Sequence, residues 1–209
     1  MLTTFPLGPS SKVLLDGSSL VGQEINPNYR MFQPLAEALQ RRYGGTAQVC
    51  NRGVNGSTVG NVNARFLTDL SCAPFTTIIM DLGINERAVA PATTTADLTS
   101  LLAKVPDNVD TWIFTPYAWG EKWPTGSQGG FAGANDTVLD TVAAQIISLF
   151  AAKPRVMVTD LRTLMYVNKL PAANPANAQT GVWTWDGVHW NPPGRVTLWN
   201  IMQPLIQWN

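Results

Sequence analysis

One histidine, His189, stands in the chain, three residues after Asp186 in the turn Asp186-Gly187-Val188-His189. A neutral imidazole can take a proton from a hydroxyl, and a neighbouring carboxylate fixes its tautomer and steadies its charged form. A D-x-x-H turn can supply both groups from one short loop. Candidates for the hydroxyl are Ser18 and Ser19, which follow the apolar run Lys12 to Leu15 and the pair Asp16-Gly17. Two further polar blocks follow apolar runs: Asn51-Arg52-Gly53-Val54-Asn55-Gly56-Ser57 and Gly83-Ile84-Asn85-Glu86. Each block also has a plainer reading. Gly, Ser and Asn are ordinary turn residues, and Ser18 or Ser19 could simply cap the next helix. A single histidine and two separated cysteines cannot build the common zinc sites. Neither a Walker P-loop nor a G-x-G-x-x-G fingerprint occurs, so no metal, nucleotide or other cofactor is expected.

These blocks need a scaffold that brings them together. Short apolar runs predict strands at Lys12–Leu15, Ala47–Cys50, Thr76–Leu82, Thr111–Thr115 and Arg155–Thr159. Between them, apolar residues at helical spacing predict helices over Tyr29–Tyr43, Val59–Leu70, a short one around Leu98–Leu102, and Val138–Phe150. Arg195–Gln207 reads as a closing helix with Pro204 inside its last turns. The run Thr76–Leu82 is apolar on consecutive positions, as in a parallel strand covered on both faces. Strands alternating with helices predict an α/β doubly wound sheet with right-handed crossovers. In such sheets the functional crevice lies beyond the carboxyl ends of the strands, where the polar blocks fall.

The 209 residues, divided by about 150 per domain, predict one domain over 1–209. Fourteen basic residues balance fourteen acidic ones, which argues against nucleic acid or an anionic membrane as the main partner. With charged residues at only 13%, surface polarity must come from Asn, Gln, Thr, Ser and Gly, a composition that suits extracellular or particle-bound proteins. No apolar run approaches the roughly 18 residues of a membrane span. Met1 to Ser11 shows no leader pattern, and export stays open. Cys50 and Cys72 are expected as buried free thiols, with a disulfide between them left open.

In order along the chain, Ser, Gly, Asn and Asp-x-x-His resemble the SGNH hydrolases, the superfamily of GDSL-type esterases. The resemblance runs from Val13 to Gly194 and is most specific in Asp186-Gly187-Val188-His189-Trp190-Asn191-Pro192, with Trp190 where proline is usual. It implies a three-layer flavodoxin-like sandwich, a five-stranded parallel sheet with helices on both faces. It also implies Ser19 as nucleophile, His189 as base and Asp186 as its orienter. The oxyanion hole would be the Ser19 N–H, the Gly56 N–H rather than that of Gly53, and the Asn85 amide. Two departures stand out. Ser18 replaces the customary aspartate and is the fallback nucleophile, and Glu86 stands where aspartate is usual. The α/β-hydrolase elbow G-x-S-x-G is absent.

Of eight tryptophans, Trp119 and Trp123 fall in the loop after the fourth strand, and Trp183, Trp185 and Trp190 bracket the D-x-x-H turn. They read either as an aromatic platform for a sugar ring or acyl chain, or as packing residues. The expected activity is removal of a short acyl group, acetyl foremost, from a carbohydrate or other neutral ester. A lipase or aryl esterase of the same family, and a non-catalytic glycan-binding module with this fold, are the alternatives.

Overall fold

The structure is a computed structural model that describes residues 2–22, 30–117, 134–161, 163 and 188–209. Its centre is a five-stranded parallel sheet of β2 (Lys12–Asp16), β3 (Gln48–Asn51), β4 (Thr77–Asp81), β5 (Asp110–Phe114) and β6 (Val156–Thr159), ordered β3-β2-β4-β5-β6. The predicted strands all form. A parallel strand buried on both faces sends alternate side chains to opposite layers. Val13, Leu15, Ile79, Trp112 and Phe114 enter one core, while Leu14, Ile78, Met80 and Ile113 enter the other.

The first layer is closed by α1 (Ser19–Gly22), α2 (Gln33–Tyr43) and α6 (Pro192–Met202), through residues such as Leu20, Leu35, Leu39 and Leu198. The second is closed by α3 (Val59–Leu70), α4 (Pro91–Lys104) and α5 (Ala134–Phe150), through Phe66, Leu98, Leu101, Ile146 and Phe150. This is the expected three-layer flavodoxin-like sandwich. The predicted short helix around Leu98 extends to all of α4, with Pro91 in its first turn, where a missing N–H costs nothing.

The chain end departs from the expectation. Pro204 has no N–H to continue a helix, so α6 stops at Met202 and a single turn, Gln203–Leu205, leads into β7 (Ile206–Trp208). This strand pairs in parallel with β1 (Phe5–Leu7), which the sequence reading left unassigned. The cysteines are free, as expected, but not buried: Cys50 is half-buried on the edge strand and Cys72 is exposed. Among the described residues no helix is long and apolar enough to cross a membrane.

Candidate active site

After β2 the chain runs to β3 at the sheet edge, then crosses to β4 on the other side of β2. This reversal opens a crevice at the carboxyl ends of β2 and β4. The turn from β2 into α1 carries Ser18 and Ser19, and the two side chains part company. Ser18 is buried; its N–H and Oγ both donate to the Asp81 carboxylate, at 2.9 and 2.6 Å. Its Oγ also accepts from the Leu20 N–H at 3.2 Å, and its carbonyl accepts from the Gly22 N–H at 2.9 Å. Ser18 is therefore the helix cap. Ser19 is half-buried, and its Oγ lies 2.7 Å from His189 Nε2. That contact separates the two serines, and the fallback position is occupied by structure.

The departure at Ser18 has a compensation. A carboxylate still supports the turn, but it comes from Asp81 at the end of β4. Gly17 makes this possible: its φ is 142°, and a Cβ there would lie 2.0 Å from Asp81 Oδ1. Burial pushes the Asp81 carboxyl up to about 6, against the two Ser18 hydrogen bonds that favour its charged form.

Residues 51–57 are pressed against this turn. Gly22 and Gly53 meet backbone to backbone, since a Cβ on Gly53 would lie 2.4 Å from Gly22 N. Val54 N–H donates to the Gly17 carbonyl at 3.1 Å, and the Asn51 amide donates to the Val21 carbonyl at 2.7 Å. Gly53 N–H is spent on Asn51 Oδ1 at 3.0 Å. Among the described residues the Gly56 N–H has no acceptor. Gly56 is exposed, with φ 74°, a left-handed conformation that glycine adopts without strain. Asn85 Nδ2 donates to the carbonyl of the next residue, Ser57, at 3.0 Å. That ties the asparagine to the Gly56 loop and leaves its second amide hydrogen for another acceptor.

Arg65 of α3 reaches under both loops. Its Nη2 donates to Asp16 Oδ1 at 2.6 Å and to the Gly17 carbonyl at 2.8 Å, and its Nη1 donates to Ser57 Oγ at 3.0 Å. Its Nε stands 3.3 Å from Asp69 Oδ2. Burial raises the Asp16 carboxyl to about 6, although Arg65 pulls it down. Glu86 is fully buried, where its extra methylene carries the carboxylate to the start of α3. It accepts from Val59 N–H at 2.5 Å and from Thr94 Oγ1 at 2.9 Å, and burial raises its pKa. Sequence reasoning missed Asp16, Arg65 and Asp81 as site supports. For the two aspartates the available signal was a carboxylate directly after three consecutive apolar residues in each strand, KVLLD and TIIMD.

His189 arrives on a short segment held at both sides. Val188 and Trp190 are buried, the Tyr117 hydroxyl donates to the Val188 carbonyl, and the Tyr117 and Trp190 rings pack at 5.2 Å. Immediately after, Asn191 caps α6 by accepting from the Gly194 N–H at 2.9 Å. Trp190 is 0% exposed within the first core, so it offers no face to a ligand and its expected platform role is corrected to packing. Asp186, Trp119, Trp123, Trp183 and Trp185 lie outside the described residues.

The same architecture occurs in solved structures. A catalytic mutant of Axe2, an acetylxylan esterase from Geobacillus stearothermophilus, superposes with a TM-score of 0.72 at 19% identity, over 97% of each chain. LAE5, an alpha/beta hydrolase enzyme from the metagenome of Lake Arreo, Spain, gives a TM-score of 0.71 at 19% identity, over 95% of this chain and 96% of that one. The chain shares the overall α/β fold of these two proteins. No protein-family model matches the sequence, and no curated protein is significantly similar to it.

Proposed function

We propose that the chain is a serine ester hydrolase that removes a short acyl group, acetyl foremost, from a neutral carbohydrate ester. The observation that carries this reading is the 2.7 Å contact between Ser19 Oγ and His189 Nε2 at the carboxyl ends of β2 and β4. A hydroxyl at that distance can pass its proton to the neutral imidazole as its oxygen attacks an ester carbonyl. The oxygen that becomes negative is received by the N–H groups of Ser19 and Gly56 and the second hydrogen of the Asn85 amide. Collapse of the tetrahedral intermediate expels the alcohol, which takes its proton from His189. Water then attacks the acyl-serine with His189 again as base, and Ser19 is regenerated. Asp186, from its place in the D-x-x-H turn, orients the imidazole and steadies its charged form.

The carbohydrate side of the proposal is supported by the likeness to an acetylxylan esterase over nearly the whole of both chains. A site built from neutral donors also suits an uncharged ester. The test is release of acetate from acetylated xylo-oligosaccharides, followed beside aryl acetates and longer acyl esters. Acetate release that is lost in Ser19→Ala and His189→Ala supports the reading. Equal or faster turnover of long acyl esters would move the substrate to lipids, and no turnover of any ester by folded protein would overturn the proposal.

A further inference from the structure

Gly56 offers its N–H from an exposed loop. A Cβ added to it would meet no described atom within 4 Å, so close packing does not fix it. Its place depends on what anchors the residues on either side. Upstream, Val54 N–H donates to the Gly17 carbonyl at 3.1 Å, and the Val54 carbonyl accepts from Ser57 N–H at 3.2 Å. Downstream, Ser57 is buried, and its carbonyl accepts from the Asn85 amide at 3.0 Å. Ser57 Oγ accepts from Arg65 Nη1 at 3.0 Å, while Nη2 of the same guanidinium donates to the Gly17 carbonyl at 2.8 Å and to Asp16 Oδ1 at 2.6 Å. One planar group on α3 thus spans the residue after Gly56 and the turn that carries Ser19. A guanidinium holds its donors in a rigid fork, which an ammonium on a flexible stem does not reproduce.

We propose that Arg65 is a positioning residue for the ester chemistry: its guanidinium sets the spacing between the Ser19 and Gly56 N–H groups that receive the oxyanion. The proposal rests on the serine-hydrolase reading of the site. Oxyanion donors act when they stand about 2.7–3.1 Å from the place that the charged oxygen will occupy. A change in their spacing therefore weakens the transition state more than the bound ester. Displacing a reacting group by about 1 Å can cost about 10²-fold in rate. Arg65 itself donates to neither substrate nor nucleophile; it acts through Ser57 and Gly17.

Two mild variants of the full chain test it. Ser57→Ala cuts the link to the Gly56 loop and leaves Asp16 its ion pair, whereas Arg65→Lys keeps a cation beside Asp16 and gives up the fork. Each is compared with the parent chain for kcat and KM on an aryl acetate, per active site titrated with a fluorophosphonate. Affinity for methylboronic acid is read alongside, because its tetrahedral serine adduct puts an oxygen in the oxyanion position. The expected kcat is about tenfold lower in Ser57→Ala and about 10- to 10²-fold lower in Arg65→Lys, with KM within about twofold of the parent. Boronate affinity should fall in parallel with kcat. A merely structural role would change the melting temperature and the titrated fraction but neither of those two quantities. Folded variants with parental kcat and boronate affinity, or with a raised KM alone, would overturn the proposal and leave the hydrolase reading standing. A parent chain that turns over no ester would overturn both.

Discussion

Arg65 joins the turn that holds Ser19 to the loop that holds Gly56, and its removal gives a pH-dependent loss whose size follows from the site. Arg65→Met keeps most of the stem and deletes the guanidinium. In the native protein the Asp16 carboxyl, fully buried, has its pKa at about 6 while Arg65 is present. At pH 7 its charged form is therefore favoured by about 1.4 kcal/mol, the worth of one pH unit. Without the arginine the carboxyl holds its proton, and that preference is lost. The hydrogen bonds to the Gly17 carbonyl and Ser57 Oγ add about 1 kcal/mol each. The expected cost is about 3–4 kcal/mol at pH 7, similar to the cost of breaking other buried ion pairs. At pH 5 Asp16 is protonated in both proteins, so the cost falls to about 2 kcal/mol. Above pH 6 it grows by about 1.4 kcal/mol per unit, because the folded variant keeps a proton that its unfolded state releases. Urea unfolding of both proteins from pH 5 to 8 measures this directly. A penalty that stays constant across that range would refute the assignment of Asp16 as the partner that makes Arg65 necessary.

Other perturbations separate support from chemistry. Asn85→Ala should lower kcat by about 10²–10³, the usual loss of one oxyanion donor, as read by steady-state kinetics on an acetyl ester. Ser18→Ala removes a donor from a fully buried carboxylate and should cost about 1–3 kcal/mol of stability, while the variant still turns over ester. Because the folded pKa values of Asp16 and Asp81, about 6, lie above the unfolded value of 3.8, the native state takes these protons first. Native stability should accordingly fall as pH rises from about 4 to above 6 and then level off, as thermal melts would show.

The strands were legible because each is a short apolar run between turn residues, and burial on both faces leaves no other use for TTIIMDL. The candidate site residues Ser19, Gly56 and Asn85 could be read as strand-end blocks, and the lone histidine in a turn was the strongest single signal. Sequence alone could not separate Ser18 from Ser19, since both hydroxyls suit both a cap and a nucleophile. The choice depends on Asp81, 62 positions beyond Ser19, meeting Ser18 across the sheet. The support beneath the site was hidden for the same reason. Arg65 reads as an ordinary helix cation until the fold places Asp16, Gly17 and Ser57 around it. Trp190 is the converse case, a residue next to His189 in sequence whose ring turns wholly into the core. At the C-terminus, Pro204 was visible but its effect was underestimated: it ends the helix and frees Ile206–Trp208 to pair with β1.

The central claim is that Ser19, activated by His189, is the nucleophile. A fluorophosphonate probe followed by peptide mapping tests it without knowledge of the substrate. The account predicts stoichiometric modification at Ser19, retained in Ser18→Ala and lost in His189→Ala. Modification at Ser18, or none in the folded protein, would contradict it.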